Sequence, residues 1–122
     1  SEVTDMNSIF SYDLHFEDDP LFEAFDEPLN CWDVSNVVDM TLMFSGASSF
    51  NQPLKSWNVS NVREMALMFA NATSFNQSID SWDVSGVRDM YGMFLNGTSF
   101  NQPLASWDTS SVTDMNGMFE YA

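Results

Sequence analysis

Basic side chains are nearly missing from this 122-residue chain: Lys55, Arg63 and Arg88 stand against 18 Asp and Glu, for a formal net charge of -15. Binding a nucleic-acid backbone needs clustered Lys and Arg to displace counterions, so nucleic acid is excluded as a partner. The same deficit argues against anionic membrane surfaces. One cysteine, Cys31, leaves no internal disulfide framework and reads as a free thiol. One cysteine with one histidine, His15, supplies neither the usual zinc clusters nor most imidazole acid–base pairs. No apolar run approaches the length of a membrane-spanning helix, so no membrane insertion is expected. The first residues lack the basic and then apolar stretches of a secretory leader. Beginning at Ser1, the chain reads as a processed mature protein or as a segment of a longer one.

Hydrophobic residues make up 44% of the chain and aromatic residues 15%, enough to bury a core, which acidic disordered tails lack. Their order is periodic. Trp32, Trp57, Trp82 and Trp107 fall 25 residues apart, and so do Met40, Met65, Met90 and Met115. Phe44, Phe69, Phe94 and Phe119 keep the same step, as do Phe50, Phe75 and Phe100. The reading is one repeat domain over 1–122: a partial repeat at 1–10, an acidic insertion at 11–24, and four tandem repeats over 25–122 with the last incomplete. Residues 1–33 hold ten of the 18 acidic groups and no basic one, so the charge is concentrated at one end.

A period of 25 lies inside the range of leucine-rich-repeat coils. Leu54-x-x-Trp57-x-Val59 and its copies resemble the short-strand signature of such repeats. Val37, Met40, Phe44 and Ala47 then recur at roughly helical spacing, predicting a helical turn after each strand. Asn36-x-x-Asp39, Asn61-x-x-Glu64 and Ser111-x-x-Asp114 resemble capping boxes for that helix, with Gly86 breaking the pattern. The expected fold is therefore an α/β, short right-handed leucine-rich-repeat-like solenoid with one strand and one helical turn per repeat. Stacked coils bury a continuous ladder of side chains and leave the end coils in need of a cover, so a larger assembly covering the C-terminal end is a further expectation.

Alternation along the expected strand turns Asp33, Asn58, Asp83 and Asp108 away from the core, beside Ser35, Ser60, Ser85 and Ser110. Like charges one strand apart repel. Asp33, Asp83 and Asp108 are thus a candidate calcium row, the alternative being hydrogen bonds from neighbouring Ser and Asn side chains. The outward positions Asn58, Ser60 and Ser85 are candidate binding residues on the same face. In the acidic insertion, Tyr12, Phe16, His15, Glu17, Asp18 and Asp19 form a second candidate contact region, since exposed aromatics favour interfaces. Asn51-Gln52, Asn76-Gln77 and Asn101-Gln102 are placed to form stacked amide ladders. No nucleophile–base pair, phosphate loop or metal triad is present in the sequence, so no enzyme and no cofactor beyond calcium is expected.

The unit W-[DN]-V-S-N-V-x-[DE]-M-x-x-M-F-x-x-A-x-S-F-N-Q-P-L, clean from Trp57 onward, resembles the BspA-like family of leucine-rich-repeat surface proteins, in its 25-residue subclass. The resemblance implies a secreted or cell-surface protein associated with adhesion, and transfers no catalytic residue. The expectation is a non-enzymatic repeat scaffold for a protein or glycan partner. The alternatives are a structural subunit of a larger assembly and a calcium-dependent adhesive module.

Overall fold

Apolar residues within one repeat come in pairs three apart: Leu54 and Trp57, Val59 and Val62, Met65 and Met68, Phe69 and Ala72, Ala72 and Phe75. In the computed structural model, which describes residues 3–6 and 23–122, each pair closes a β-turn. The second residue's N–H donates to the first one's carbonyl at 2.9–3.2 Å. A turn brings its first and fourth residues together and projects the two between them. The apolar members therefore share the inside, while Lys55, Ser56 and Asn61 stay exposed. Each repeat is thus one coil built of successive turns: coil 1 over 32–56, coil 2 over 57–81, coil 3 over 82–106 and coil 4 over 107–122, with residues 3–6 and 23–31 before them.

The turns that begin at the Met and Phe positions share a form. Their third residue has positive φ, Leu67 at 55° and Asn71 at 57° in coil 2, as in a type II turn. The same two positions hold Leu42 and Gly46 in coil 1, Gly92 and Asn96 in coil 3, and Gly117 and Tyr121 in coil 4. Asn and Gly accept this conformation readily, whereas a leucine there costs about 1–2 kcal/mol. Packing offsets the cost. The Leu67 side chain crosses into coil 3, its Cδ2 lying 2.6 Å from where a Cβ on Gly92 would stand, so the leucine of one coil covers the glycine of the next.

Along this part of each coil the orientation of successive peptide groups alternates, so that every second one points along the stack. The N–H groups of Met65, Leu67, Phe69 and Asn71 donate to the carbonyls of Asp89, Tyr91, Met93 and Leu95 in the next coil at 2.7–2.9 Å. The same four positions link coil 1 to coil 2 and coil 3 to coil 4. The intervening N–H groups of Met68, Ala70 and Ala72 close turns within the coil. Main-chain polar groups beside a core thereby find partners both within and between coils.

Inside, the repeated side chains stack. Phe44, Phe69, Phe94 and Phe119 form one column with ring centroids 5.4–5.7 Å apart. Phe25, Phe50, Phe75 and Phe100 form a second, 5.8–6.1 Å apart. Within a coil the two columns touch at 4.1–4.4 Å. Near-parallel, offset rings of this kind add to the area they bury. Met40, Met65 and Met90 with Met43, Met68 and Met93 fill the space beside them, all fully buried. One continuous core runs from Met6 to Met118, and among the described residues it contains no polar or charged side chain.

The expected α/β solenoid does not form. Among the described residues helical backbone is confined to Glu23, and the only strand pairing is a series of isolated parallel bridges, Asp5 to Asp39, Asp39 to Glu64, Glu64 to Asp89 and Asp89 to Asp114. These fall on the acidic row assigned to helix caps, while the Leu-x-x-Trp segment assigned to the strand is a turn. The physical reason lies in the spacing. Apolar residues three apart suit a helix face and the two ends of a β-turn equally, and here alternate N–H groups go to the next coil instead of four residues back. The capping boxes fail with the helix. Asp39, Asp89 and Asp114 fold forward and accept the N–H of Thr41, Tyr91 and Asn116 at 2.8–2.9 Å, local bonds that hold a turn.

Phe69→Ala, at the centre of the ring columns, is expected to cost about 3–5 kcal/mol, whereas Phe119→Ala, half exposed on coil 4, costs clearly less. Denaturant unfolding of the two variants checks the order. Gly86→Asn restores the residue of coils 1 and 2 but places a Cβ 2.2 Å from Arg63 Nη1, displacing a guanidinium that donates to the carbonyls of Ser60 and Val62. The expected loss is about 1 kcal/mol, and it should vanish in an Arg63→Ala background. An equal loss in both backgrounds refutes the contact.

Candidate functional site

The outward row lies where alternation placed it, although on turns and not on a strand. Asp33, Asn58, Asp83 and Asp108 are all exposed, one per coil. Each accepts from the serine two residues on. Asp33 Oδ1 takes the Ser35 N–H at 3.0 Å and hydroxyl at 2.6 Å, and Asp83 Oδ1 takes those of Ser85 at 3.1 and 2.6 Å. The Ser110 N–H reaches Asp108 at 3.0 Å. Asn58 Oδ1 is used in the same way by Ser60, at 3.1 Å from the N–H and 2.7 Å from the hydroxyl. An amide thus replaces a carboxylate without changing the local bonds.

Ser60 and Ser85 therefore spend their hydroxyl protons on the row itself. The serine hydroxyls and then the serine N–H groups hold the carboxyls of Asp33, Asp83 and Asp108 below the ordinary carboxylate range. At Asp83 the Asp108 charge opposes this shift and the Arg63 charge assists it. The three groups stay ionised, with the neutral Asn58 standing between Asp33 and Asp83. The serine bonds are of the kind that the hydrogen-bonded alternative for the row expects. Among the described residues no group of three or more His, Cys, Asp or Glu is gathered to hold a metal ion.

Two further ladders run along the stack. The N–H of Asn76 donates to Asn51 Oδ1 and that of Asn101 to Asn76 Oδ1, both at 2.9 Å. Gln77 and Gln102 Nε2 donate to the carbonyl and side-chain oxygens of the same asparagines at 3.0–3.2 Å. The expected amide ladder is present, and it has a member that sequence reasoning missed. Asp26 heads the column, accepting from the Asn51 N–H at 2.9 Å and from Gln52. The signal was the 25-residue offset from Asn51, hidden by the change from amide to acid. Indole Nε1 of Trp57, Trp82 and Trp107 donates at 2.9–3.0 Å to the carbonyls of Leu29, Leu54 and Ile79. The tryptophans thus form a structural ladder, with Trp57 and Trp82 buried.

Cys31 is an exposed free thiol at the position that Ser56, Ser81 and Ser106 hold in later coils. Tyr91 and Tyr121 are exposed off the ladders, as is Val38. The second candidate region, Tyr12, His15, Phe16, Glu17, Asp18 and Asp19, lies outside the described residues. The structure thus brings Asp33, Asn58, Asp83 and Asp108 into one row with Ser60 and Ser85 beneath it.

Two overlapping segments, residues 1–81 and 20–122, match one family model, described as a Mycoplasma protein of unknown function, DUF285. No curated protein and no solved structure matches the chain.

A carboxyl whose value is lowered by folding stabilises the fold above the ordinary carboxylate range, and the contribution is lost as pH falls through the lowered value. Ser85→Ala is therefore expected to raise the Asp83 titration midpoint toward the ordinary range and to leave that of Asp33 unchanged. Carboxyl-detected NMR titration measures both. A stationary Asp83 midpoint contradicts the role given to Ser85.

Proposed function

The chain belongs to the DUF285 family, and we propose that it acts as a non-enzymatic repeat scaffold that binds a protein or glycan partner through the outward row of Asp33, Asn58, Asp83 and Asp108. One observation carries this reading. Among the described residues every buried side chain is apolar, so the polar chemistry stands on the outside, repeated coil by coil. Such a surface suits an extended ligand that meets equivalent groups at successive coils better than a small substrate that needs convergent groups in a cavity. The ionised carboxylates and the net charge of -15 favour partners with a cationic face, through steering and selection more than through tight binding. With this reading goes a place outside the cell or on its surface. Among the described residues no helix is long and apolar enough to cross a membrane.

A structural subunit is the second reading: a chain whose repeated residues are nearly all spent on one stacked core and on ladders along the stack suits a permanent place in a larger assembly.

Asn58 supplies the test, because it shows that an amide keeps the serine bonds. The triple change Asp33→Asn, Asp83→Asn, Asp108→Asn should leave the melting temperature close to wild type and weaken binding to cationic proteins or glycans selected on defined arrays. The loss should be greatest at low salt, where exposed charges are least screened. Unchanged binding by the triple variant removes the row from the interface. Concentration-dependent assembly in sedimentation, with no ligand retained, supports the subunit reading instead.

A further inference from the structure

Charge is confined to one part of the repeat. Every charged residue of coils 1 to 3 falls within 33–39, 55–64 or 80–89, and none falls within 40–54, 65–79 or 90–106. The bonds between coils superpose equivalent residues, so these uncharged stretches lie over one another. In a chain with a net charge of -15, one side of the stack thus carries no charge over three successive coils. Glu23 and Asp26 ahead of coil 1, and Glu120 in coil 4, bound it.

That side is polar without being charged. The turn from Ala72 to Phe75 projects Thr73 and Ser74, and Asn76 follows. Ser49, Ser74 and Ser99, at equivalent positions, are exposed, and their hydroxyls make no hydrogen bond among the described residues. Asn51 and Asn76 spend their side-chain oxygens on the N–H groups of the following coil at 2.9 Å, while their carboxamide nitrogens make no hydrogen bond among the described residues. The Thr73 hydroxyl is held by the Ser48 carbonyl at 3.3 Å. Hydroxyls that donate and accept, and amides that donate, therefore repeat coil by coil. The ladder bonds have already ordered the amides, which lowers the entropic cost of using them in a complex.

We propose that this uncharged side binds a neutral polysaccharide, laid across equivalent groups of coils 1 to 3. A cationic partner is drawn instead to the acidic row, and an anionic one finds no Lys or Arg here and is repelled by the rest of the chain. An apolar partner would strip water from hydroxyls and amides without replacing their hydrogen bonds. Sugar hydroxyls both donate and accept, and a polymer presents them repeatedly, as the coils do. Pro53 and Pro103, exposed beside the asparagine column, add C–H surface for sugar ring faces. Single contacts of this kind are weak, and repetition along one polymer raises the affinity. Binding here does not require Asp33, Asp83 and Asp108, which lie on the charged part of the coil.

The test is native electrophoresis of the 122-residue protein through gels containing dissolved hydroxyethylcellulose, galactomannan, xyloglucan or dextran. At least one of the four should retard it, and calorimetry with that polymer should give an affinity that changes by less than about twofold between low and high salt, since no ion pair forms. Removing three hydroxyls in the triple variant Ser49→Ala, Ser74→Ala, Ser99→Ala should weaken binding by about tenfold or more. Its melting temperature should stay close to wild type, because those hydroxyls bond nothing within the fold. Lys55→Ala and Ser81→Ala, on the charged part, should leave the affinity unchanged. Mobility unaffected by all four polymers, an affinity that collapses with salt, or full binding by the triple variant overturns the proposal.

Discussion

The hydrogen bonds between coils are the interaction on which the rest depends. A coil made of β-turns has no helix or strand to stabilise it alone, and its backbone can be satisfied only if alternate peptide groups find partners above and below. The four bridging positions at Met65, Leu67, Phe69 and Asn71, and their equivalents, supply those partners at one spacing along the stack. That spacing sets everything else. It places phenylalanine on phenylalanine at 5.4–6.1 Å, brings the indoles of Trp57, Trp82 and Trp107 to the carbonyls 28 residues earlier in the chain, and puts the side-chain oxygens of Asn51 and Asn76 beside the N–H of Asn76 and Asn101. The N–H groups at these four positions point toward the following coil, and those of Arg63, Arg88 and Thr113 donate back to the carbonyls of Val38, Arg63 and Arg88 at 2.8 Å, so adjacent coils are tied in both directions.

The same constraint explains which residues vary between repeats. Inward positions stay apolar, mostly Met, Phe, Val, Trp, Leu or Ala, because a stacked neighbour fills every gap. The positive-φ positions change among Leu, Gly, Asn and Tyr, with the glycine of coil 3 matched to the leucine of coil 2 that lies across it. Gly86 is matched in the same way to Arg63, a guanidinium lying where an asparagine side chain would stand. Departures from the repeat are thus paired between adjacent coils, and their sense is visible only once the coils are superposed.

The acidity divides along these lines. Asp39, Asp89 and Asp114 hold turns by accepting local N–H groups, Asp26 heads an amide ladder, and Asp80 accepts both the N–H and the hydroxyl of Ser106. These carboxylates are parts of the scaffold. Asp33, Asp83 and Asp108 instead stand exposed at one equivalent position of their coils, each accepting, among the described residues, only from the serine two residues on. Their bonds tie no other coil or ladder, which is why the candidate surface is drawn there.

The sequence by itself determined the period, the inward residues and the outward row. Trp57, Met65, Phe69 and Phe75 could be assigned to the core, and Asp33, Asp83 and Asp108 to the surface, because a 25-residue repeat of large apolar side chains has one way to hide them and stacking requires equivalent residues to coincide. The amide ladder was legible for the same reason. Only the tertiary structure decided what the backbone does between those residues. Leu54 with Trp57 and Met65 with Met68 are spaced alike for a helix and for a turn, and the choice rests on whether alternate N–H groups bond within the coil or to the next one. That is a contact between residues 24 positions apart, Met65 to Asp89, and local pattern contains no term for it.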